Sequence, residues 1–203
     1  MVLLNLESNE RTVPEFIILV GIPGVGKSYF AKEYLRNLEN QIIIERDKIR
    51  VDLIWQARKE GKTTEKMNQK VDLAELELVK QEIKQNKHKY VILDGCHTHY
   101  CCLEGLISTI SLESPASEIL LMFIGNENSV CLHKISDEAE GIYSDYKEDG
   151  SHNSVPKIVV DKKREQLGFI LTNMLNSLRR YCDSVMLLRQ PREPYEQARG
   201  YRI

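Results

Sequence analysis

Residues 21–28 read Gly-Ile-Pro-Gly-Val-Gly-Lys-Ser and carry the strongest chemical signal in the chain. Gly21, Gly26, Lys27 and Ser28 stand at the G-x-x-x-x-G-K-S spacing of a loop that wraps a chain of phosphates. The glycines, with Gly24, let backbone amides curl inward without side-chain clashes. A helix beginning just beyond adds its amino-terminal dipole. Lys27 is placed to reach the β- and γ-phosphates, and the Ser28 hydroxyl to sit on Mg²⁺. The expected nucleotide contacts are Gly21, Ile22, Pro23, Gly24, Val25, Gly26, Lys27, Ser28 and Tyr29, with ATP and Mg²⁺ as cofactors. Average residue frequencies produce this pattern in about one chain in a hundred. Here it lies between an apolar run and a helix-like stretch, the context in which such a loop functions.

Two further positions fit phosphoryl transfer. Asp47 follows the apolar segment QIIIE, residues 41–45. Arg50 is three residues on, so one helical face can carry both. A carboxylate there can take the proton of an attacking hydroxyl, and the arginine can bind an acceptor phosphate or orient the carboxylate. An ordinary surface ion pair with Asp47 as helix cap is the competing reading; the strand-end position after a phosphate loop favours function. Glu45 and Asp52 are the alternative carboxylates. Asp94 ends the apolar run YVILD, and a carboxylate beside a phosphate loop is the usual second support for Mg²⁺. Ser28 and Asp94 therefore form the expected metal set.

These residues need a scaffold. Residues 16–20, 41–45, 90–94, 118–124 and 184–188 are short apolar runs, the pattern of strands buried on both faces. Helical spacing appears from Lys27 through Ala31, Leu35 and Leu38, and over residues 47–61, closed by Gly61. Residues 66–87 carry Met67, Val71, Ala74 and Leu78 on one expected face. Further helices are expected at 103–110, after residue 124 to about Glu138, at 155–167 with Ser154 as cap and Pro156 in the first turn, and at 169–181. Strands alternating with helices predict an α/β fold with a parallel sheet covered on both faces. Ligands in such sheets sit beyond the carboxyl ends of the strands. Residues 136–154 are polar and acidic and read as a lid loop, and residues 189–203 as a tail without core pattern. No repeat or boundary divides the 203 residues, which read as one domain.

The chain is 42% hydrophobic and 29% charged with a formal charge of −2. That balance describes a globular chain without an overall basic field for nucleic acid. No run approaches the roughly 18 apolar residues of a membrane span. The first residues, MVLLNLESNERTVPE, lack the pattern of a secretion signal. A cytoplasmic location without membrane partner is expected, and the five cysteines read as free thiols. Nothing specifies an oligomeric state.

With these motifs in view, the chain resembles the kinase domain of polynucleotide 5′-hydroxyl kinases and, in part, the P-loop kinases of zeta-toxin type. The likeness rests on ILVGIPGVGKSYFAKEYL, IIIERDKIR, YVILDGCHTHY and VPKIVVDKKREQL, from about residue 16 to 188. The resemblance implies a P-loop NTPase fold with a five-stranded parallel sheet in the order 2-3-1-4-5 and a lid over about residues 134–165. It implies an ATP-dependent kinase acting in nucleic acid repair on the 5′-hydroxyl end of RNA or DNA. The residue matching the general base is Asp47, and that matching the acceptor-phosphate arginine is Arg50. Lid arginines four apart are the family habit. Here Lys134 takes the first position, to steady the transferring group, and Glu138 the second. Lys157, Lys162, Lys163 and Arg164 are the candidates for the missing cation. A free nucleoside, nucleotide or other small hydroxyl metabolite is the alternative acceptor, and a non-kinase P-loop ATPase the third reading. No guanine-specific N-K-x-D pattern is present.

Other signals are weaker. CHTHYCC, residues 96–102, has soft ligands but no paired C-x-x-C spacing. Its expected role is to line the cleft, with His97 or His99 within reach of acceptor or phosphate. Residues 179–203 hold six arginines against three acidic residues, with Tyr195 and Tyr201 interspersed. Such a segment can stack and pair with a single strand, though an edge-packing tail is the plainer reading. Trp55 and Tyr29 read as core or cleft-wall residues.

Overall fold

The computed structural model describes residues 13–64, 66–132, 134–136 and 154–188, with the side chains of 134–136 and 154 excepted. The central lid expectation, residues 137–153, and the tail, residues 189–203, lie outside the described residues.

Strand β1 (Glu15–Val20) is buried along its whole length, so it occupies the middle of a sheet with cover on both sides. It pairs in parallel with β3 (Tyr90–Asp94) and β4 (Ile119–Ile124), and β2 (Gln41–Glu45) adds to the far side of β3. Two short strands, β5 (Lys134–Ser136) and β6 (Ser154–Pro156), pair separately. The last strand, β7 (Ser184–Leu188), completes the main sheet beside β4. The order is β2-β3-β1-β4-β7, all parallel. This is the expected 2-3-1-4-5 arrangement, with β7 as the fifth strand of the main sheet.

Strand residues alternate between two cores. Phe16, Ile18, Val20, Leu93, Leu121 and Phe123 join the core on one side of the sheet; Ile17, Leu19, Ile92 and Met122 join the other. Helix α1 (Lys27–Phe30) runs on as a π-helical turn (Ala31–Leu35), whose Ala31 and Leu35 cover the second core. Helix α2 (Arg46–Lys59) packs on α3 (Met67–Gln85) through Ile54, Met67 and Val71. Helix α4 (Tyr100–Glu113) supplies Leu103, Leu106, Ile107 and Ile110 to the first core. Helix α5 (Lys157–Phe169) continues through a π-helical turn (Ile170–Met174) into α6 (Leu175–Leu178). Among the described residues no helix is long and apolar enough to cross a membrane.

Four local expectations are corrected. The buried face of α3 is Met67, Val71, Glu75 and Val79, not the face with Ala74 and Leu78. Leu78 is 37% exposed, because a charged residue at position 75 claims the interior for a reason given below. No helix follows β4 over residues 125–132. Gly125 has φ +75, and Ser129 Oγ and Asn126 Oδ1 accept backbone N–H groups at 2.8 and 3.0 Å. Such side chains offer the backbone a turn in place of a helix. Helix α5 begins at Lys157 with Pro156, not Ser154, at its N-cap, since residue 154 is held in the β5–β6 pair. Residues 169–181 do not form a separate helix, because the backbone never leaves helical geometry between α5 and α6.

The corrected α3 face has a direct test. Val79→Ala, at a fully buried position outside the expected face, is expected to cost on the order of 2 kcal/mol in denaturant unfolding. Leu73→Ala, at a site 68% exposed, is expected to stay within about 0.5 kcal/mol.

Candidate active site

The loop between β1 and α1 is clamped on both sides. Gly21 N–H donates to Cys96 O at 3.0 Å, and Leu132 N–H donates to Gly24 O at 3.0 Å. Gly24 and Gly26 adopt φ +68 and +99, the left-handed region that turns successive amides toward one centre. A Cβ on Gly21 would lie 2.7 Å from the backbone oxygen of Ile124, so the strand itself excludes any larger residue. Lys27 is 7% exposed, and its ammonium donates to Ile22 O at 2.8 Å, which folds the side chain back over the loop.

Asp94 is 5% exposed, at the carboxyl end of β3 and in register with Leu19 and Glu45. The Ser28 hydroxyl donates to its carboxylate. Burial pushes the Asp94 carboxyl above its ordinary value, with Glu45 and Asp47 adding to the rise, while the Ser28 bond and Lys27 oppose it. Lys27, Ser28, Glu45 and Asp47 are thus each near enough to act on Asp94. A hydroxyl and a buried carboxylate beside a phosphate-sized cradle are the oxygen donors that Mg²⁺ takes, so the donor set fits the metal.

Asp47 lies in the first turn of α2 and pairs with Arg50. The carboxylate side chain is 55% exposed and the arginine 14%, so Asp47 reaches solvent while Arg50 is largely covered. Glu45, the first alternative, is taken up by Lys32 at 3.1 Å. Asp52, the second, is exposed. Tyr29 is 41% exposed and meets Tyr34 edge to face, and Trp55 carries Arg58 over its ring; neither is a core residue. Lys134 falls in β5, with its side chain outside the described residues.

Sequence reasoning missed a buried chain of charges behind this site. Arg46 bonds both Asp72 and Glu75 of α3. Glu75, 2% exposed, also meets His97 Nε2 at 2.8 Å, and His97 Nδ1 meets Leu19 O at 2.7 Å. Leu19 O only accepts, so Nδ1 carries a hydrogen. Burial alone would raise the Glu75 carboxyl; His97 and Arg46 together hold it below its ordinary value. The signal was available, since Glu75 continues the four-residue spacing of Met67 and Val71. His97 is therefore corrected: with both ring nitrogens occupied and φ +45, it braces the site and is not free for acceptor or phosphate. Gly95 clears the space for Arg46, because a Cβ there would fall 2.1 Å from Arg46 Cδ.

Helix α5 contributes from the other side. Lys157 and Lys162 are exposed, whereas Lys163 and Arg164 turn inward. Arg164 donates to Ser129 O at 3.3 Å. Lys163 donates to Gln166 Oε1 at 3.3 Å, which also accepts from the Thr98 hydroxyl at 3.1 Å. The five cysteines carry no disulfide; His99 Nδ1 lies 3.4 Å from Cys102 Sγ.

Sheet order, loop and flanking helices define a P-loop protein of the kinase-like type. Residues 17–121, more than half of the chain, match the family model described as an AAA domain, and the chain belongs to that family. No curated protein matches it. Among solved structures, a chain of the Pnkp1/Rnl/Hen1 RNA repair complex aligns with TM-score 0.52 at 18% identity, covering 80% of this chain and 46% of that one. A chain of the PezAT chromosomal toxin-antitoxin system of Streptococcus pneumoniae aligns with TM-score 0.50 at 15% identity, covering 94% and 74%. A gluconokinase from Sinorhizobium meliloti 1021 aligns with TM-score 0.48 at 13% identity, covering 92% and 88%. This chain spans under half the length of the matched chains from the repair complex. At the level of fold, the sequence resemblance to polynucleotide and zeta-toxin-type P-loop kinases is borne out.

Two substitutions separate support from cost. Glu75→Gln leaves Arg46 and His97 short of a buried charge and is expected to cost about 3–5 kcal/mol at neutral pH. Because the folded Glu75 carboxyl lies below its ordinary value of 4.5, its contribution is full above that pH. The gap between wild type and variant should therefore narrow as the pH falls below 4.5 in parallel urea titrations. Asp94→Asn has the opposite sign. The folded Asp94 carboxyl is raised, so its charge costs stability at neutral pH. The metal-free variant should melt higher than wild type, with the advantage fading as the pH falls toward 3.8.

Proposed function

We propose that this chain is an ATP-dependent kinase that transfers the γ-phosphoryl group to a hydroxyl acceptor, and that the acceptor is the 5′-hydroxyl end of RNA or DNA. One observation supports the reading: Asp94, at the end of β3 beside β2, accepts from Ser28 of the phosphate loop and feels the charges of Lys27 and Asp47. The whole of residues 1–203 acts as one kinase domain, with residues 134–165 as its lid and a cytoplasmic location.

Residues 21–28, with Tyr29 at the rim, hold the nucleotide. Lys27 leaves Ile22 O for the β- and γ-phosphates. Ser28 and Asp94 hold Mg²⁺, which neutralises phosphate charge when bound. Asp47 accepts the proton of the acceptor hydroxyl as its oxygen bonds to the γ-phosphorus. The bond from that phosphorus to the bridging oxygen breaks, and ADP leaves with the electron pair. Asp47 then releases its proton to water. Arg50 keeps the Asp47 carboxylate oriented and faces the acceptor. Lys134 steadies the phosphoryl group in transit.

A small hydroxyl metabolite or free nucleotide is the second reading. It is favoured by Asp137, Glu138, Glu140, Asp145, Glu148 and Asp149, set against Lys147 alone within residues 136–154, which repels a polyanion.

Incubation with γ-labelled ATP and Mg²⁺ against 5′-hydroxyl RNA, 5′-hydroxyl DNA, nucleosides and mononucleotides tests the proposal. Label is expected on an oligonucleotide end, with Asp47→Ala reducing transfer about 10²–10⁴-fold while ATP binding is retained. Free phosphate as sole product would remove the kinase reading, and label on mononucleotides alone would install the second.

A further inference from the structure

Two backbone hydrogen bonds clamp the phosphate loop, and both lead to α5. The first runs from Gly21 N–H to Cys96 O at 3.0 Å. Two residues beyond Cys96, the Thr98 hydroxyl donates to Gln166 Oε1 of α5 at 3.1 Å, with Thr98 only 1% exposed. The second runs from Leu132 N–H to Gly24 O at 3.0 Å. Next to Leu132, Cys131 is buried in a small apolar cluster with Val155 of β6 and Val160 of α5. Ser129 O, in the same loop, accepts from Arg164 of α5 at 3.3 Å. One helix therefore holds both of the segments that hold the loop.

Residues 96–99 belong to no helix or strand, so side-chain bonds must help to fix where Cys96 O points. His97 ties this segment to α3 through Glu75, and Thr98 ties it to α5 through Gln166. Gln166 Oε1 is itself held by the Lys163 ammonium at 3.3 Å. An amide oxygen has two lone pairs and accepts both bonds. A hydroxyl as buried as that of Thr98 loses heavily if its acceptor is removed, because water cannot replace it. Fixing Gly21 N–H and Gly24 O in this way leaves the other loop amides arranged before a phosphate arrives, and a site so prepared spends less of its binding energy on ordering.

We propose that Thr98 and Gln166 are positioning residues for nucleotide binding: the seat of α5 on residue 98 sets the shape of the phosphate loop, and through it the affinity for a nucleoside di- or triphosphate. Both act through Cys96 and Gly21. The coupling is reciprocal, so bound nucleotide also favours the seated helix. The inference rests on the nucleotide-binding reading of residues 21–28.

The test is titration with fluorescent ATP and ADP, well below the melting temperature. The samples are wild type, Thr98→Val, Thr98→Ser, Gln166→Leu, Gln166→Glu and the double variant Thr98→Val with Gln166→Leu. Thr98→Val and Gln166→Leu are each expected to weaken both nucleotides about 3–10-fold. Thr98→Ser keeps the donor and Gln166→Glu keeps the acceptor, so each should bind close to wild type. The double variant should lose no more than either single one, since both remove the same bond. Thermal melting of the same samples separates binding from folding. Variants that melt lower but bind as wild type overturn the proposal, as do additive losses in the double variant or failure of the serine and glutamate forms to bind. Where a valine or leucine variant does not fold, hydrogen exchange on wild type decides: ATP should slow exchange across residues 157–169, and unchanged exchange there overturns the proposal. Wild type that binds neither nucleotide removes the nucleotide reading and this inference together. Tight binding by wild type and every variant alike removes the inference alone.

Discussion

A carboxylate at 2% exposure in the middle of α3 is the interaction on which the site depends. Glu75 has no water to solvate it, so its charge survives only while Arg46 and His97 hold it. Each of those partners sits next to something the chemistry needs. Arg46 precedes Asp47, which fixes where the proposed base leaves β2. His97 follows Asp94 by three residues and bonds the backbone of Leu19, just before the phosphate loop. One buried group thereby ties the ends of β1, β2 and β3 to α3. The geometry at the strand ends is set by desolvated charges that cannot exchange their partners for water.

The front of the site carries the opposite electrostatic condition. Asp94, Asp47 and Glu45 crowd one end of the sheet, and the fold tolerates an Asp94 charge that burial disfavours. Lys27 and the Ser28 hydroxyl offset only part of that cost. Such an arrangement is less stable empty than filled, the usual relation between a binding site and its ligand. On the α5 side Lys163 is half-buried, and burial lowers its ammonium from the ordinary value.

The fold and the family narrow the chemistry to phosphate-handling P-loop proteins and leave the acceptor to the side chains. Structures as different in their printed descriptions as an RNA repair complex and a toxin-antitoxin system share the scaffold. Function on such scaffolds lies in the residues placed at the strand ends. In this chain the proposed ones are Asp47 and Arg50 in the helix after β2 and Asp94 at the end of β3.

Continuous apolar runs made β1 through β4 and the last strand legible, since a strand covered on both faces has no polar alternation to confuse it. The phosphate loop, Asp47 and Asp94 were legible for a related reason: in a parallel sheet, residues just past the end of a strand must lie on the ligand side. The α3 face was misread because apolar spacing alone cannot reveal a glutamate whose partners are 22 and 29 residues away. The helix expected after β4 gave way to side-chain-capped turns. Local order thus determined the strands, their alternation with helices and the cradle. Tertiary structure alone decided that Glu75 belongs inside, that His97 braces rather than binds, and that Lys163 reaches Gln166, which also holds Thr98. Those outcomes depend on which desolvated charges meet across the fold, and meetings between distant residues leave no period in a sequence.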